Sequence, residues 1–241
     1  MTTKLGWIHQ YQGDHCPSNS WNYSLDASIR RHGAGDFASE KFSLRSGDVD
    51  FKDETRERAE KIEVGPKQKE GETHWYSWSF RVADTFPDCV VEADLSRAVS
   101  GDTTLAQFHQ EPGSRGTHDP PVMFGKMRGR NAFRMRILPT HYHRLGRKIP
   151  ERTLIADGAF RGKWHDLLIQ ARWSSTEGFI RVWVDGGNEI EYYGPTCLAG
   201  GGDIYHKYGL YRPAHASNAD VSVWYADLRR GDARHLVERL S

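Results

Sequence analysis

The chain has 241 residues, of which 37% are hydrophobic and 12% aromatic, enough to bury one sizeable core. Its 33 basic and 32 acidic residues leave a formal charge of +1. That balance excludes the strongly basic footprint of a general nucleic-acid binder and the charge excess of a disordered acidic chain.

The opening MTTKLGWIHQ lacks the basic-then-apolar pattern of an export signal, and no stretch approaches the roughly 20 apolar residues that span a membrane. Cys16, Cys89 and Cys197 are widely spaced and form no CxxC pair, so a zinc ribbon or disulfide framework is not expected, although one disulfide stays open. Asn22-Tyr23-Ser24 is a glycosylation sequon, relevant only to a secreted eukaryotic protein.

From there the dominant signal is alternation with a period of two, the mark of strands with one buried face. Arg56, Arg58 and Glu60 share a face in the first such segment. Tyr76, Trp78, Phe80 and Val82 share one in His74–Val82. Gln107 and His109 point the same way in Leu105–Gln110, and the polar stretch Glu111–Pro121 reads as a loop. Arg128-Gly129-Arg130 begins a basic run, and Arg134 and Arg136 then alternate with Phe133, Met135 and Ile137. These arginines read either as a solvated face or as subsites for a polyanion.

Thr140–Pro150 reads as a second loop, bordering a cleft with His118, His141, His143, Arg144 and Arg147 as candidate wall residues. His141 and His143, taken on one strand face, do not make a metal site without further ligands. Trp164–Trp173 and Ile180–Val184 are strands, and the second runs into the hairpin turn Asp185-Gly186-Gly187-Asn188. Gly200-Gly201-Gly202-Asp203 lacks the Lys-Ser/Thr of a phosphate loop and reads as a turn. Tyr205, Lys207 and Tyr211 fall on one face of the next strand, and Val221, Val223 and Tyr225 mark the last. Ala233–Leu240, with Asp232 as its cap, is the best helical candidate.

Short strands at regular spacing, punctuated by Gly, Asp and Pro, predict an all-β, two-sheet antiparallel sandwich in a single domain over residues 1–241. A strand face of Arg, Gln, His, Lys and Tyr does not belong in a core, because burying such groups without partners costs several kcal/mol, on the order of 2–7 each. Such a face lies in solvent or in a functional groove.

Three segments then carry a resemblance. Tyr205–Arg212, YHKYGLYR, resembles the YxKxGxY signature of jelly-roll polysaccharide lyases. Gln107-Phe108-His109 resembles the QxH of alginate lyases of that type, and Arg58-Ala59-Glu60 their RxE, in the same chain order. Trp75–Phe80, Gly162–Asp166 and Gly178–Trp183 look closest to the glucuronan lyase and heparin lyase I-like group. The resemblance spans about Phe42 to Asp227. One departure is Ile62, where alginate lyases usually carry a second arginine, so Arg56 is the other candidate for that role.

The resemblance implies a concanavalin-like jelly roll that cleaves a uronate polymer by β-elimination. It implies Gln107, His109, Tyr211 and Arg58 as catalytic residues. Lys207, Tyr205, Arg56, Glu60, Arg134, Arg136 and His143 are expected to bind substrate. The expected partner is an anionic polysaccharide, glucuronan-like ahead of alginate or heparin-like, met by a secreted or periplasmic monomer without nucleic-acid or membrane partners. No cofactor is required, and a structural calcium stays open although no recognisable calcium loop occurs.

Two rivals differ in class. A glycoside hydrolase needs two carboxylates, and Glu92-Ala93-Asp94-Leu95-Ser96-Arg97 resembles the ExDxxE motif but ends in Arg. A non-catalytic carbohydrate-binding jelly roll would keep a groove and aromatics without needing His109 and Tyr211 together.

Overall fold

The computed structural model describes residues 6–8, 22–31, 37–50, 53–88, 90–91, 98–100, 102–126, 131–216 and 218–238. Cys16, Cys89, the Glu92–Arg97 segment and Arg128–Arg130 lie outside them.

Two antiparallel sheets face each other in the expected jelly-roll sandwich. The first runs Gly6–Ile8, Asp53–Val64, Ile204–Pro213, Thr103–Gln110, Asp119–Lys126, Phe133–Ile137 and Glu151–Ile155, with Val49–Asp50 also paired to Asp53–Val64. The second runs Ile190–Gly194, Gly178–Val184, His165–Arg172, Thr73–Val82, Val221–Gly231, Phe37–Leu44 and Tyr23–Arg31.

Alternation explains the core. Tyr76, Trp78, Phe80 and Val82 point inward from one sheet and meet Phe108, Phe124 and Phe133 from the other. Tyr76 and Phe108 lie edge-to-face at 4.8 Å, as do Phe108 and Trp173 at 4.9 Å. Each such buried ring contributes on the order of 1.5–3 kcal/mol, before the specific ring geometry is counted.

Charged residues also enter this core, each with a partner. Glu57 and Arg212, both 1% exposed, pair at 2.5 Å. Glu63 takes Arg230 and the amide of His206 (2.9 Å), and Lys61 reaches Glu40. Charges removed from water survive only with such partners.

Four local expectations change. The Thr140–Pro150 stretch is not wholly loop, because Pro139–Arg144 is a short helix. Pro139 suits a first helical turn, and Leu138 turns the chain into it with φ +47°. His141 and His143 therefore lie on a helix, not on a strand face. Of the expected Ala233–Leu240 helix, the described residues, which end at Glu238, contain only the 3-10 turn Arg234–Leu236 without a side-chain cap, and Asp232 does not serve as one. Burial of Val237 and the bond from Ser77 Oγ to its carbonyl (2.7 Å) tie that end to the sheet. Finally, Asn22 is fully buried and donates to Ser43 O (2.9 Å) and Asp48 (3.2 Å), which closes the sequon to a glycan.

Candidate active site

Sheet register brings the three polar segments onto one outward face. Asp53–Val64, Ile204–Pro213 and Thr103–Gln110 are consecutive neighbours. Tyr205 stands opposite His109. One row further, Ile62, Lys207, Gln107, Met123, Arg136 and Glu151 face one another across six strands. Further still, Arg58, Tyr211, Thr104, Gly125, Arg134 and Thr153 do the same. His109 and Tyr211 thus flank the Gln107–Lys207 row on either side.

Gly209 makes this spacing possible. Its φ is +134°, and a Cβ there would collide with the Ala59 carbonyl oxygen and crowd the Glu60 Cα at 2.8 Å. The pairing of Ile204–Pro213 with Thr103–Gln110 shifts register at this point, between Tyr208 and Tyr211. Only glycine combines that backbone angle with so close an approach.

A groove of about 770 Å³ lies over this face, lined by Arg58, Gln107, His109, Tyr205, Lys207 and Tyr211. The helix Pro139–Arg144 supplies a wall through Pro139, Thr140 and His143; His118, Pro120 and Met123 complete it. Sequence reasoning does not single out Met123, Pro120 or Thr140. Register alone would have found Met123, since it pairs with Gln107. Among the described residues, no Asp or Glu lines the groove.

The groove is held in place from behind. Gln107 Nε2 donates to Glu60 Oε1 at 2.6 Å, and Lys207 Nζ to Glu60 Oε2 at 3.1 Å. Arg58 Nε stands 4.0 Å from the same carboxylate. Glu60 is 3% exposed and absent from the lining, so it stands behind the groove surface. Arg56 also stays out of the lining; its Nε donates to Tyr211 Oη at 2.8 Å, while the Arg58 guanidinium lies 5.0 Å from the Tyr211 ring centre.

Arg134 and Arg136 share the groove face but lie one strand beyond Met123, where both pair with Glu151 (2.9 and 2.8 Å). Their expected place in the groove is not found, because Glu151 engages them. His141, Arg144 and Arg147 also miss the lining, and Arg144 stands 3.7 Å from Asp119.

Burial, then the charges of Lys207, His118 and Arg58, hold the His109 imidazole well below its ordinary range. It is therefore neutral near pH 7. Its Nδ1 is buried without a hydrogen-bond partner among the described residues, and its ring stacks on Tyr205 at 5.6 Å. Burial and the nearby Glu111 and Glu60 push the Tyr205 phenol up, so Tyr205 remains protonated and serves His109 as a platform. With His109 neutral, Arg58, Lys207 and Arg56 bring three cations to this face, where Glu60 is shared by Lys207 and Arg58, and Glu111 near Tyr205 pairs with Lys67. A neutral acceptor amid fixed cations, with a tyrosine hydroxyl opposite, is equipped to bind an anion and move a proton beside it.

The sequence profile of the family described as "Polysaccharide lyase" matches residues 2–229. The chain belongs to the polysaccharide lyase family. No curated protein shows significant similarity to it. Among solved structures, the family 7 alginate lyase A1-II′, in complex with the substrate GGMG, superposes with a TM-score of 0.60 at 11% identity. That match covers 90% of this chain and 83% of the other. An alginate lyase from Pseudomonas aeruginosa gives 0.56 at 18% identity, covering 92% and 89%. The exolytic PL7 alginate lyase from Zobellia galactanivorans gives 0.53 at 11%, covering 89% of each chain. At these identities the superpositions establish that the lyase shares their fold. Among the described residues no helix is long and apolar enough to cross a membrane, and no group of three or more His, Cys, Asp or Glu is placed to hold a metal.

Proposed function

We propose that this lyase cleaves a uronate polymer outside the cytoplasm by β-elimination at the Gln107–His109–Tyr211 groove, with glucuronan ahead of alginate or heparin-like chains. The observation that carries the reading is the Tyr211 hydroxyl, ordered by Arg56 and set across the Gln107–Lys207 row from a neutral His109.

A uronate C5–H is poorly acidic while its carboxylate carries full charge. Gln107 and Arg58 would hydrogen-bond that carboxylate, and Lys207 would add positive potential as charge spreads into it. The C5 proton passes to a base, its bonding pair becomes the C4=C5 double bond, and O4 leaves with its own pair and takes up a proton. Where H5 and O4 lie on the same side, as in glucuronate, Tyr211 would enter the step as the phenolate, its own proton having passed to solvent beforehand; it takes the C5 proton and delivers that proton to O4, which regenerates the phenolate. The Arg56 N–H donates to the phenolate oxygen before and after the transfer. Where they lie on opposite sides, as in guluronate, neutral His109 is the base and Tyr211 the acid. These steps use groups of the chain alone.

Glucuronan is placed first because Ile62 stands where alginate lyases usually have a second arginine, and because Trp75–Phe80 and Gly178–Trp183 resemble the glucuronan lyase group. The hydrolase alternative needs two carboxylates, and among the described residues none lines the groove; its Glu92–Arg97 candidate lies outside the described residues.

The test is ultraviolet absorbance of the conjugated, unsaturated uronate during incubation with glucuronan, alginate, heparin and hyaluronan. A rise with glucuronan that Tyr211→Phe abolishes is expected. New reducing ends without the chromophore would mean hydrolysis, and binding without turnover would mean a carbohydrate-binding module.

A further inference from the structure

Glu60 is not among the residues that line the groove, yet three groove groups converge on it. It is 3% exposed, and Gln107 and Lys207 are only 3% and 5% exposed. Its two oxygens are divided: Oε1 accepts from Gln107 Nε2 at 2.6 Å, and Oε2 accepts from Lys207 Nζ at 3.1 Å with Arg58 Nε 4.0 Å away. Gly209 faces Glu60 across the strand pair, so no side chain comes between this carboxylate and the neighbouring strands.

An amide side chain has two faces, one donating and one accepting. Only its N–H face helps against an anionic substrate. By accepting one Nε2 proton, a carboxylate fixes which end is nitrogen and leaves the second proton of that nitrogen for another acceptor. A carboxylate also supplies the countercharge that the nearly buried Lys207 ammonium needs.

We propose that Glu60 is the positioning residue of this lyase: it orients the Gln107 amide and the Lys207 ammonium so that their donors meet the uronate carboxylate as charge develops. The inference rests on the proposed β-elimination. Glu60→Gln has two consequences. The Gln107 amide gains a partner that can donate as well as accept, so it loses its fixed orientation. The groove also loses its negative charge, which strengthens ground-state attraction for a polyanion. Turnover and affinity should therefore move in opposite senses, which a merely loosened fold would not produce.

The experiment measures kcat and KM on the polymer that the wild type cleaves, for Glu60→Gln, Glu60→Asp, Gln107→Ala and Glu60→Gln/Gln107→Ala, each checked for its unfolding midpoint. We expect kcat to fall about 100-fold in Glu60→Gln, the scale of one lost oxyanion-type donor, with KM unchanged or lower and partial rescue in Glu60→Asp. The double variant should lose less than the product of the two single losses, because the share of Glu60's effect that acts through Gln107 is already gone in Gln107→Ala, while the share through Lys207 remains. Multiplying losses, an unchanged kcat in Glu60→Gln, or a rise in KM would each overturn the proposal.

A second readout needs no turnover. In proton–nitrogen NMR spectra, the Gln107 side-chain amide, assigned by its absence in Gln107→Ala, should be shifted from free-glutamine values and slow to exchange. It should revert in Glu60→Gln, and the absence of that change overturns the proposal even if the variant is less stable. A wild type that cleaves no polyuronate would sink the functional reading, whereas a cleaving wild type indifferent to Glu60 would sink this inference alone.

Discussion

His206 is the residue on which the cost of burying a titratable ring in this fold can be tested. It lies on the core side of the strand that carries Lys207, 2% exposed, with ring centres 4.8 Å from Trp78 and 4.9 Å from Phe108 and parallel to Tyr208 at 6.3 Å. Burial first, and then the charge of Arg230, lower its pKa from 6.5 to about 3. The folded state thus binds fewer protons than the unfolded chain between those values. Stability from keeping the ring neutral is complete above pH 6.5 and is lost as pH falls toward 3. At about 1.4 kcal/mol per pH unit, His206 should cost roughly 2.7 kcal/mol by pH 4.5 relative to pH 7.5. His206→Phe keeps an aromatic ring of similar size without the titration. Urea unfolding of both chains at pH 7.5 and 4.5 isolates the effect, because all other titrating groups are common to the two. The stability difference between the chains should shift by about 2–3 kcal/mol in favour of the phenylalanine variant at the lower pH. A difference that is the same at both pH values would refute the argument.

Three further outcomes are expected. Tyr211→Phe should lower kcat by at least about 1,000-fold, a general acid–base contribution within the usual range, while leaving binding of the polymer, followed by affinity electrophoresis, largely intact. Gly209→Ala should destabilise the protein by more than about 3 kcal/mol, because a positive φ and a backbone clash act together; the denaturant midpoint reports it. Arg212→Met should cost about 3–5 kcal/mol by leaving buried Glu57 with Asn218 and the Gly47 amide as its partners among the described residues, and Arg212→Met/Glu57→Leu should recover part of that loss.

The sandwich was legible in the sequence because alternation is a local property. Tyr76, Trp78, Phe80 and Val82 announce a buried face without knowledge of what covers them, and the structure covers them with Phe108, Phe124 and Phe133. The groove residues were legible for the opposite reason: Gln107, His109, Lys207 and Tyr211 repeat at strand spacing where a core would demand apolar groups. What the sequence did not reveal is which strands adjoin and which charges answer one another. Arg134 and Arg136 look like open cations along their own strand, and the next strand answers them, with Glu151 pairing with both and Thr153 accepting from Arg134. Glu60 looks like a groove residue from its alternation with Arg58. Its carboxylate instead turns along the sheet, in the space left by Gly209, to Gln107 and Lys207. The Pro139–Arg144 helix escaped because its entry depends on a left-handed Leu138, a conformation that leucine rarely adopts and sequence rarely signals.

The distribution of charge across the first sheet explains how one strand can serve both the core and the groove. Along Ile204–Pro213, His206, Tyr208, Leu210 and Arg212 are all nearly buried, as are Tyr205 and Lys207. On the core side every charge is answered within the fold, as Arg212 is by Glu57, so that side asks nothing of a ligand. On the groove side Glu60 is a single carboxylate shared by Gln107, Lys207 and Arg58, with Arg56 reaching Tyr211 besides. Positive charge and hydrogen-bond donors are therefore in surplus on one side only, held rigid by residues already dehydrated. On the proposed reading, a uronate carboxylate would supply what that side lacks, and it would meet donors whose reorganisation was completed when the chain folded.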